Sequence, residues 1–188
     1  MKSIYLIIAV VILVIFLFSV LYNQLVRLQQ WVNEAWSQID VQLQRRNDLI
    51  PNLVETVKGY TEYEKNTLVD VVKLRNQLSS LIESKNTTKE EIIKVSDQLG
   101  LSLKSIIALS ENYPDLKAST NYSKLQEELT NTENKIAYSR QLYNSSAANY
   151  NIKLKTFPSN VVANVFGFGE ERLIFITEDK KNVPKIQF

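Results

Sequence analysis

Between Lys2 and Arg27 the chain carries no charged residue, and from Ile4 to Tyr22 its only polar side chains are Tyr5, Tyr22 and Ser19. A backbone in hydrocarbon has no water to bond to, so a run of this kind is confined to a helix. At ~1.5 Å per residue, 4–22 crosses a hydrocarbon core of ~30 Å with little to spare. Tyr5 and Tyr22 stand near the two ends, where rings with a polar tip favour the interfaces, and Phe16 and Phe18 lie within the apolar stretch. A cleaved secretory signal is the competing reading. The stretch exceeds the roughly 7 to 15 residues of a signal core, however, and no small-x-small site follows it. The sequence therefore predicts a short tail at 1–3 and an uncleaved single-pass anchor at 4–22. With no cysteine there is nothing to acylate as a lipoprotein. Lys2 and the amino terminus weigh against Arg27, with Arg45 and Arg46 beyond the range that usually counts. On that balance the amino terminus is expected inside and the bulk of the chain outside.

The residues after Tyr22 suffice for one domain with its own core. They keep all 20 acidic residues and every basic residue of the 22 except Lys2, a net charge of +1. So even a balance argues against nucleic acid as partner, because phosphate binding needs a clustered basic surface.

Four glycines and four prolines in 188 residues predict long uninterrupted helices. Leu25, Leu28, Val32, Ala35 and Ile39 recur at steps of three and four, the seam of a helix packed against neighbours. This helix is expected to continue the anchor and to end near Arg46, with Asp48 as a cap and Pro51 in the first turn of the next. A second helix, about 50 Å long at ~1.5 Å per residue, follows from Ile50 through Leu53, Val57, Tyr60, Glu64, Thr67, Val71, Leu74 and Leu78 to Leu81. Thr88 and Glu91 have the spacing of a capping box. They open a third helix with its seam at Ile92, Val95, Leu99, Ile106, Leu109 and Tyr113, stopping at Pro114. A fourth runs from about Ser119 through Tyr122, Leu129, Ile136, Tyr143 and Tyr150 to Phe157, with Thr132, Ser139 and Ser146 as small hydroxyls on its seam. Beyond Pro158, Asn160–Phe166 reads as a short helix ended by Gly167 and Gly169, with extended segments at 173–176 and 185–188. The fold class expected is all-α: one transmembrane helix continuous with an elongated antiparallel bundle of about four long helices over 23–157, then a short helix and extended tail over 158–188.

Two long blocks carry a family resemblance. They are AWSQIDVQLQRRNDLIPNLVETVKGYTEYEK at Ala35–Lys65 and LQEELTNTENKIAYSRQLYNSSAANYN at Leu125–Asn151. With the closing Phe157, Pro158, Phe166, Gly167 and Phe168, the chain resembles the LemA family of bacterial membrane-anchored proteins over nearly its whole length. The resemblance implies a bacterial cell membrane, one N-terminal membrane segment and a bundle of long antiparallel helices, and it supplies no catalytic residue. Some relatives begin with a lipoprotein signal, which implies an extracytoplasmic domain. Others are linked with a membrane-embedded zinc metalloprotease or with magnetosome membranes, which implies a role in membrane-protein assembly or quality control. Tyr63 stands here where the family commonly has histidine, so no pH or metal role of that histidine carries over.

With neither histidine nor cysteine, the chain lacks Ser-His and Cys-His nucleophilic sites, HExxH zinc sites and the Glu-x-x-His iron sites of bundles. No Walker sequence is present, and GFGEE is too short and misplaced for a phosphate loop. No cofactor or metal is expected. The strongest polar constellation is Glu64, Glu133, Arg140, Arg75 and Arg46, on or beside the seams. It reads either as an ion network binding an anion or partner, or as a device fixing helix register, because a buried polar pair penalises every slipped alignment; the second reading is favoured. Trp36 reads as core, and Trp31, on another face, as touching headgroups or a partner helix. The DLIPNL stretch, with Asp48 and Pro51, reads first as a tight turn and second as an exposed recognition element. The asparagines Asn144, Asn149 and Asn151 read as helix-surface or interhelical hydrogen-bonding groups.

The function expected is that of a non-catalytic, membrane-tethered helical scaffold or adaptor binding envelope or membrane proteins, copies of itself included. The alternatives are an accessory factor or regulator of a membrane protease and a membrane-shaping protein.

Overall fold

The computed structural model describes residues 2–59, 65–84 and 86–175. Among them are six α-helices and no strand: α1 Lys2–Lys58, α2 Lys65–Glu83, α3 Lys89–Leu109, α4 Pro114–Ala118, α5 Thr120–Lys155 and α6 Ser159–Phe166. Two compact units form. One comprises the chain up to Ser37 with Arg140–Leu173, the other Gln38–Ser139.

The apolar run predicted at 4–22 lies in one helix that is long and apolar enough to cross a membrane. An 18-residue window of α1 has a mean hydropathy of 3.3 with only 6% of it buried. A core helix of such composition would be covered by its own chain; this one presents its apolar surface outward and continues without a break into the bundle.

The first helix does not end near Arg46. It runs on to Lys58 with Pro51 inside it, so Asp48 caps nothing, DLIPNL is no turn, and the helix gives way to a turn at Gly59, with α2 described from Lys65. The reason lies in the seam. Val32, Ala35, Ile39, Leu43, Arg46, Ile50, Leu53 and Val57 are all buried, in one series of three- and four-residue steps. A break at Asp48 would rotate Ile50, Leu53 and Val57 off the face that Ile39 and Leu43 bury. Pro51 stays exposed on the opposite side.

The second unit buries Leu68, Val71 and Leu78 of α2, Ile92, Val95, Leu99 and Ile106 of α3, Leu116 of α4, and Tyr122, Leu129 and Ile136 of α5. The Thr88 capping box is formed: the Thr88 hydroxyl accepts from the Glu91 N–H at 3.2 Å, and the Glu91 carboxylate accepts from the Thr88 N–H at 3.0 Å. The third helix ends at Leu109 rather than at Pro114. A 3-10 turn, Ser110–Asn112, follows it, and Pro114 opens α4 at a first-turn position that needs no N–H. Ser119 accepts from the Tyr122 N–H at 3.4 Å as α5 begins.

In the first unit, Leu21, Leu25, Val32 and Ala35 of α1, Tyr143, Ala147, Tyr150 and Leu154 of α5, and Val162 and Ala163 of α6 are buried. Trp36 meets Tyr143 edge-on at 5.8 Å, half-buried as a core-side ring, while Trp31 is exposed. Gly167 ends α6 at φ 73°, in the left-handed region that glycine enters without a side-chain penalty. The following segment is tied to α5. Asn151 accepts from the Glu171 N–H at 3.0 Å and donates to the Glu171 carbonyl at 2.7 Å, and the Tyr143 hydroxyl donates to the Arg172 carbonyl at 3.1 Å. Asn151 is thus the hydrogen-bonding group its sequence position suggests. Residues 173–175 follow without regular structure, and the extended segment expected at 185–188 lies outside the described residues.

Candidate functional site

Three consecutive residues of α1 reach the three other long helices of the second unit. Arg45 pairs with Glu128 of α5 at 2.6 Å, both side chains half in solvent. Arg46 is turned inward and only 2% exposed. Its Nη2 pairs with Glu133 of α5, and its Nη1 donates to the carbonyl and hydroxyl oxygens of Ser96 in α3, each at 3.3 Å. Asn47, also buried, donates from Nδ2 to the Ser79 hydroxyl of α2 at 2.7 Å. Its backbone carbonyl accepts from Arg75 Nε, one turn earlier on α2, at 3.4 Å.

A guanidinium at a core position of a helix seam needs space and partners, since an unpaired buried charge is costly. The space comes from α3. Ser96 and Gly100 lie four residues apart, one turn, and a Cβ on Gly100 would stand 3.6 Å from Arg46 Nη1 and 3.7 Å from Glu133 Oε2. The counter-charge comes from α5, whose Glu133 has Lys104 Nζ at 3.9 Å on its solvent side. Beside the pair lies a cleft of about 110 Å³, lined by Arg46, Gly100, Leu103, Lys104, Leu129 and Glu133 among others. It is small beside the ~300 to 1,000 Å³ of ordinary ligand pockets.

Of the constellation predicted from sequence, Arg46 and Glu133 are brought together. Arg75 instead serves the Asn47 carbonyl and the Asn76 side-chain oxygen. Arg140 lies on α5, half-buried, seven residues beyond Glu133. Glu64 lies outside the described residues. Asp48 and Pro51 are exposed on α1. Sequence reasoning missed Asn47, Ser96 and Gly100. The signal available for the last two was a pair of small residues one turn apart beside the α3 seam. Among the described residues no group of three or more acidic side chains could hold a metal ion.

Two carboxyl groups are perturbed outside the membrane segment. Partial burial raises the Asp40 carboxyl above the ordinary aspartate range. The Thr88 N–H, followed by its hydroxyl, lowers that of Glu91, where burial opposes the shift. Burial and then the Glu171 carboxylate push the Tyr150 phenol up. None of these three groups lines the cleft beside Arg46 and Glu133.

Residues 35–188 match the sequence profile of the LemA family, more than half of the chain. The chain belongs to the LemA family. Within it, the Protein LemA of Metamycoplasma hominis is 29% identical over 141 residues, an alignment covering 75% of this chain and 63% of that protein. Magnetosome protein MamQ of Magnetospirillum gryphiswaldense is 24% identical, covering 86% of this chain and 68% of its own. Magnetosome protein MamQ 2 of Paramagnetospirillum magneticum is also 24% identical, covering 78% of this chain and 62% of its own. This chain thus spans under two thirds of the length of the first and third relatives. The profile takes in both blocks that carried the resemblance. The Arg45–Asn47 hub belongs to the first block, and its carboxylate partners Glu128 and Glu133 to the second.

Proposed function

We propose that this LemA-family chain is a non-catalytic scaffold, tethered in the cell membrane by α1, with its bundle on the extracytoplasmic side, that binds other membrane or envelope proteins and copies of itself. The observation that carries the proposal is where the polar chemistry goes. The strongest charged and amide groups of the family blocks, Arg46 and Asn47, are buried and committed to neighbouring helices. A reacting site needs such groups aimed into a pocket of substrate size, and the cleft that Arg46 lines has only about 110 Å³. The Arg46–Glu133 pair then serves to fix the register of α1, α3 and α5, because any slip along the seam would leave the guanidinium facing an apolar neighbour. Outside the membrane segment, single large apolar side chains stand exposed along the helices: Trp31 at 59%, Val69 at 61% and Tyr138 at 67%. Aromatic residues of this kind are enriched where helices meet partner proteins.

The test is photo-crosslinking in the living cell, with the full chain carrying a photoreactive phenylalanine at Trp31 or at Tyr138. A small number of discrete adducts, including the homodimer, is the expected result. A ladder indistinguishable from that given by the same label at the exposed Glu111 would refute a scaffold using these faces. Protection of the bundle from protease added to spheroplasts would overturn the orientation.

A further inference from the structure

α1 leaves the membrane at Tyr22, and the ring of Tyr22 is not alone there. Phe166, the last residue of α6, lies with its ring centroid 4.8 Å away, and Phe168 at 5.7 Å on an edge. These contacts place the end of α6 at the depth where the apolar run meets the headgroups. From Tyr22 and Asn23 a groove of about 560 Å³ descends along α1 past Ser19, Phe18 and Ile15 to Val14, with Phe166 at its outer end. From Val14 to Tyr22 is eight steps of helix, ~12 Å at ~1.5 Å each, along the C-terminal part of the apolar segment.

α6 buries Ser159, Val162 and Ala163 and turns Val161 (42% exposed) and Val165 (67%) outward, four residues apart on one stripe. Phe166 remains 56% exposed in spite of its contact with Tyr22, and Phe157, in the turn that leads into the helix, is 77% exposed. In water this would be a concentrated apolar patch. Continuous with the membrane-spanning surface through Tyr22, it is the expected composition of an element lying in the interface. A second membrane helix is the less fitting occupant of the groove, since close helix approach in membranes favours small residues. Valine, isoleucine and phenylalanine line this one, and the hydroxyl of its serine is turned back to the Ile15 carbonyl at 2.9 Å.

We infer that α6 is a second membrane contact of this protein: Val161, Val165, Phe166 and Phe157 lie in lipid at the bilayer interface, and an acyl chain fills the groove beneath Phe166. The chain would then be held at two points, by α1 through the bilayer and by α6 at its surface.

The natural absence of cysteine makes single spin labels specific. The full chain carrying Val165→Cys, labelled and reconstituted in vesicles of phosphatidylethanolamine and phosphatidylglycerol, is exposed to oxygen, which concentrates in lipid, and to a nickel chelate, which stays in water. Phe16→Cys in the membrane segment and Tyr138→Cys on the bundle give the two limits. The expected result is that oxygen collisions exceed chelate collisions at Val165→Cys, as at Phe16→Cys, and that spectra stay free of broadening between labels. Chelate-dominated collisions would overturn the inference, as would spin–spin broadening that shows a second copy covering the face. Helicity by circular dichroism checks folding, and Val161→Cys replaces a Val165 variant that fails it. If Phe16→Cys itself lay in water, the anchor rather than α6 would be at fault, so the two failures are distinguishable.

Discussion

Arg75 of α2 donates from Nε to the carbonyl oxygen of Asn47 in α1, the acceptor that Pro51, four residues on, has no N–H to fill. A proline inside a helix removes one bond of the ladder and crowds the carbonyl it should have engaged. Here a guanidinium from the neighbouring helix supplies the missing donor, and the Asn47 side chain is fixed by Ser79, one turn further along α2. A local defect in α1 has become a point of attachment for α2.

Replacing Pro51 by alanine should therefore stabilise the bundle, by about 1 to 3 kcal/mol, because the ring is exposed and contributes no core packing. Arg75→Ala should cost about 0.5 to 1.5 kcal/mol in the natural background, and less alongside Pro51→Ala, whose restored N–H already fills the carbonyl. Urea unfolding of the four proteins in detergent, followed by helicity, gives the coupling directly. Additive effects would mean that Arg75 does not act through this carbonyl.

Glu133→Gln should destabilise by about 1 to 3 kcal/mol. Loss of one partner from a fully buried pair costs ~3 to 5 kcal/mol, but the Glu133 side chain is 38% exposed and solvent screens part of the effect. Arg46→Met should cost less, since it removes the buried charge together with its need for a partner. If the two substitutions proved equally harmful, the charge of Arg46 would not be what Glu133 serves.

Much of this fold is legible in the residues, and the misreading has a physical cause. The long apolar start of α1, the Thr88 box, α5 and the glycine that ends α6 follow from local rules: apolar length, capping geometry, heptad steps and a left-handed residue. The extent of α1 does not. Asp48 followed by Pro51 is a sound start signal, and it is overridden by the burial of Ile50, Leu53 and Val57 and by a donor from α2, neither of which is local. Arg46 concealed the continuity, because a charged residue at a core position reads as a gap in the seam until Ser96, Gly100 and Glu133 are seen around it. The Arg46–Glu133 association was within reach of seam reasoning; the roles of Asn47, Ser96 and Gly100 depend on which helix faces which.

Gly100 has room for an alanine methyl group. A Cβ there meets Arg46 and Glu133 at ordinary contact distance, and alanine gains about 0.5 to 1 kcal/mol over glycine within a helix. Gly100→Ala should raise the melting temperature by about 1 to 4 °C. Gly100→Leu should lower it by driving the ion pair apart. A stabilised Gly100→Leu would show that α3 can move away from Arg46 at no cost.

Two carboxyl groups give the acid response opposite slopes. The Glu91 carboxyl is held below its usual range by the Thr88 N–H and hydroxyl. Its contribution is therefore complete above the ordinary value of 4.5 and is lost as pH falls through the lowered one. Asp40 is shifted upward by burial, so the folded chain keeps that proton longer than the unfolded one. Stability from this group is highest below 3.8 and declines as pH rises through the raised value. Asp40→Asn should thus raise the melting temperature at neutral pH and leave it unchanged at about pH 3. Thr88→Ala should cost about 1 kcal/mol at neutral pH, with a smaller gap from the natural protein once Glu91 is protonated. Melting curves of both variants across this range decide the matter: an Asp40→Asn gain that persists in the acid limit would come from packing rather than from the carboxyl's charge.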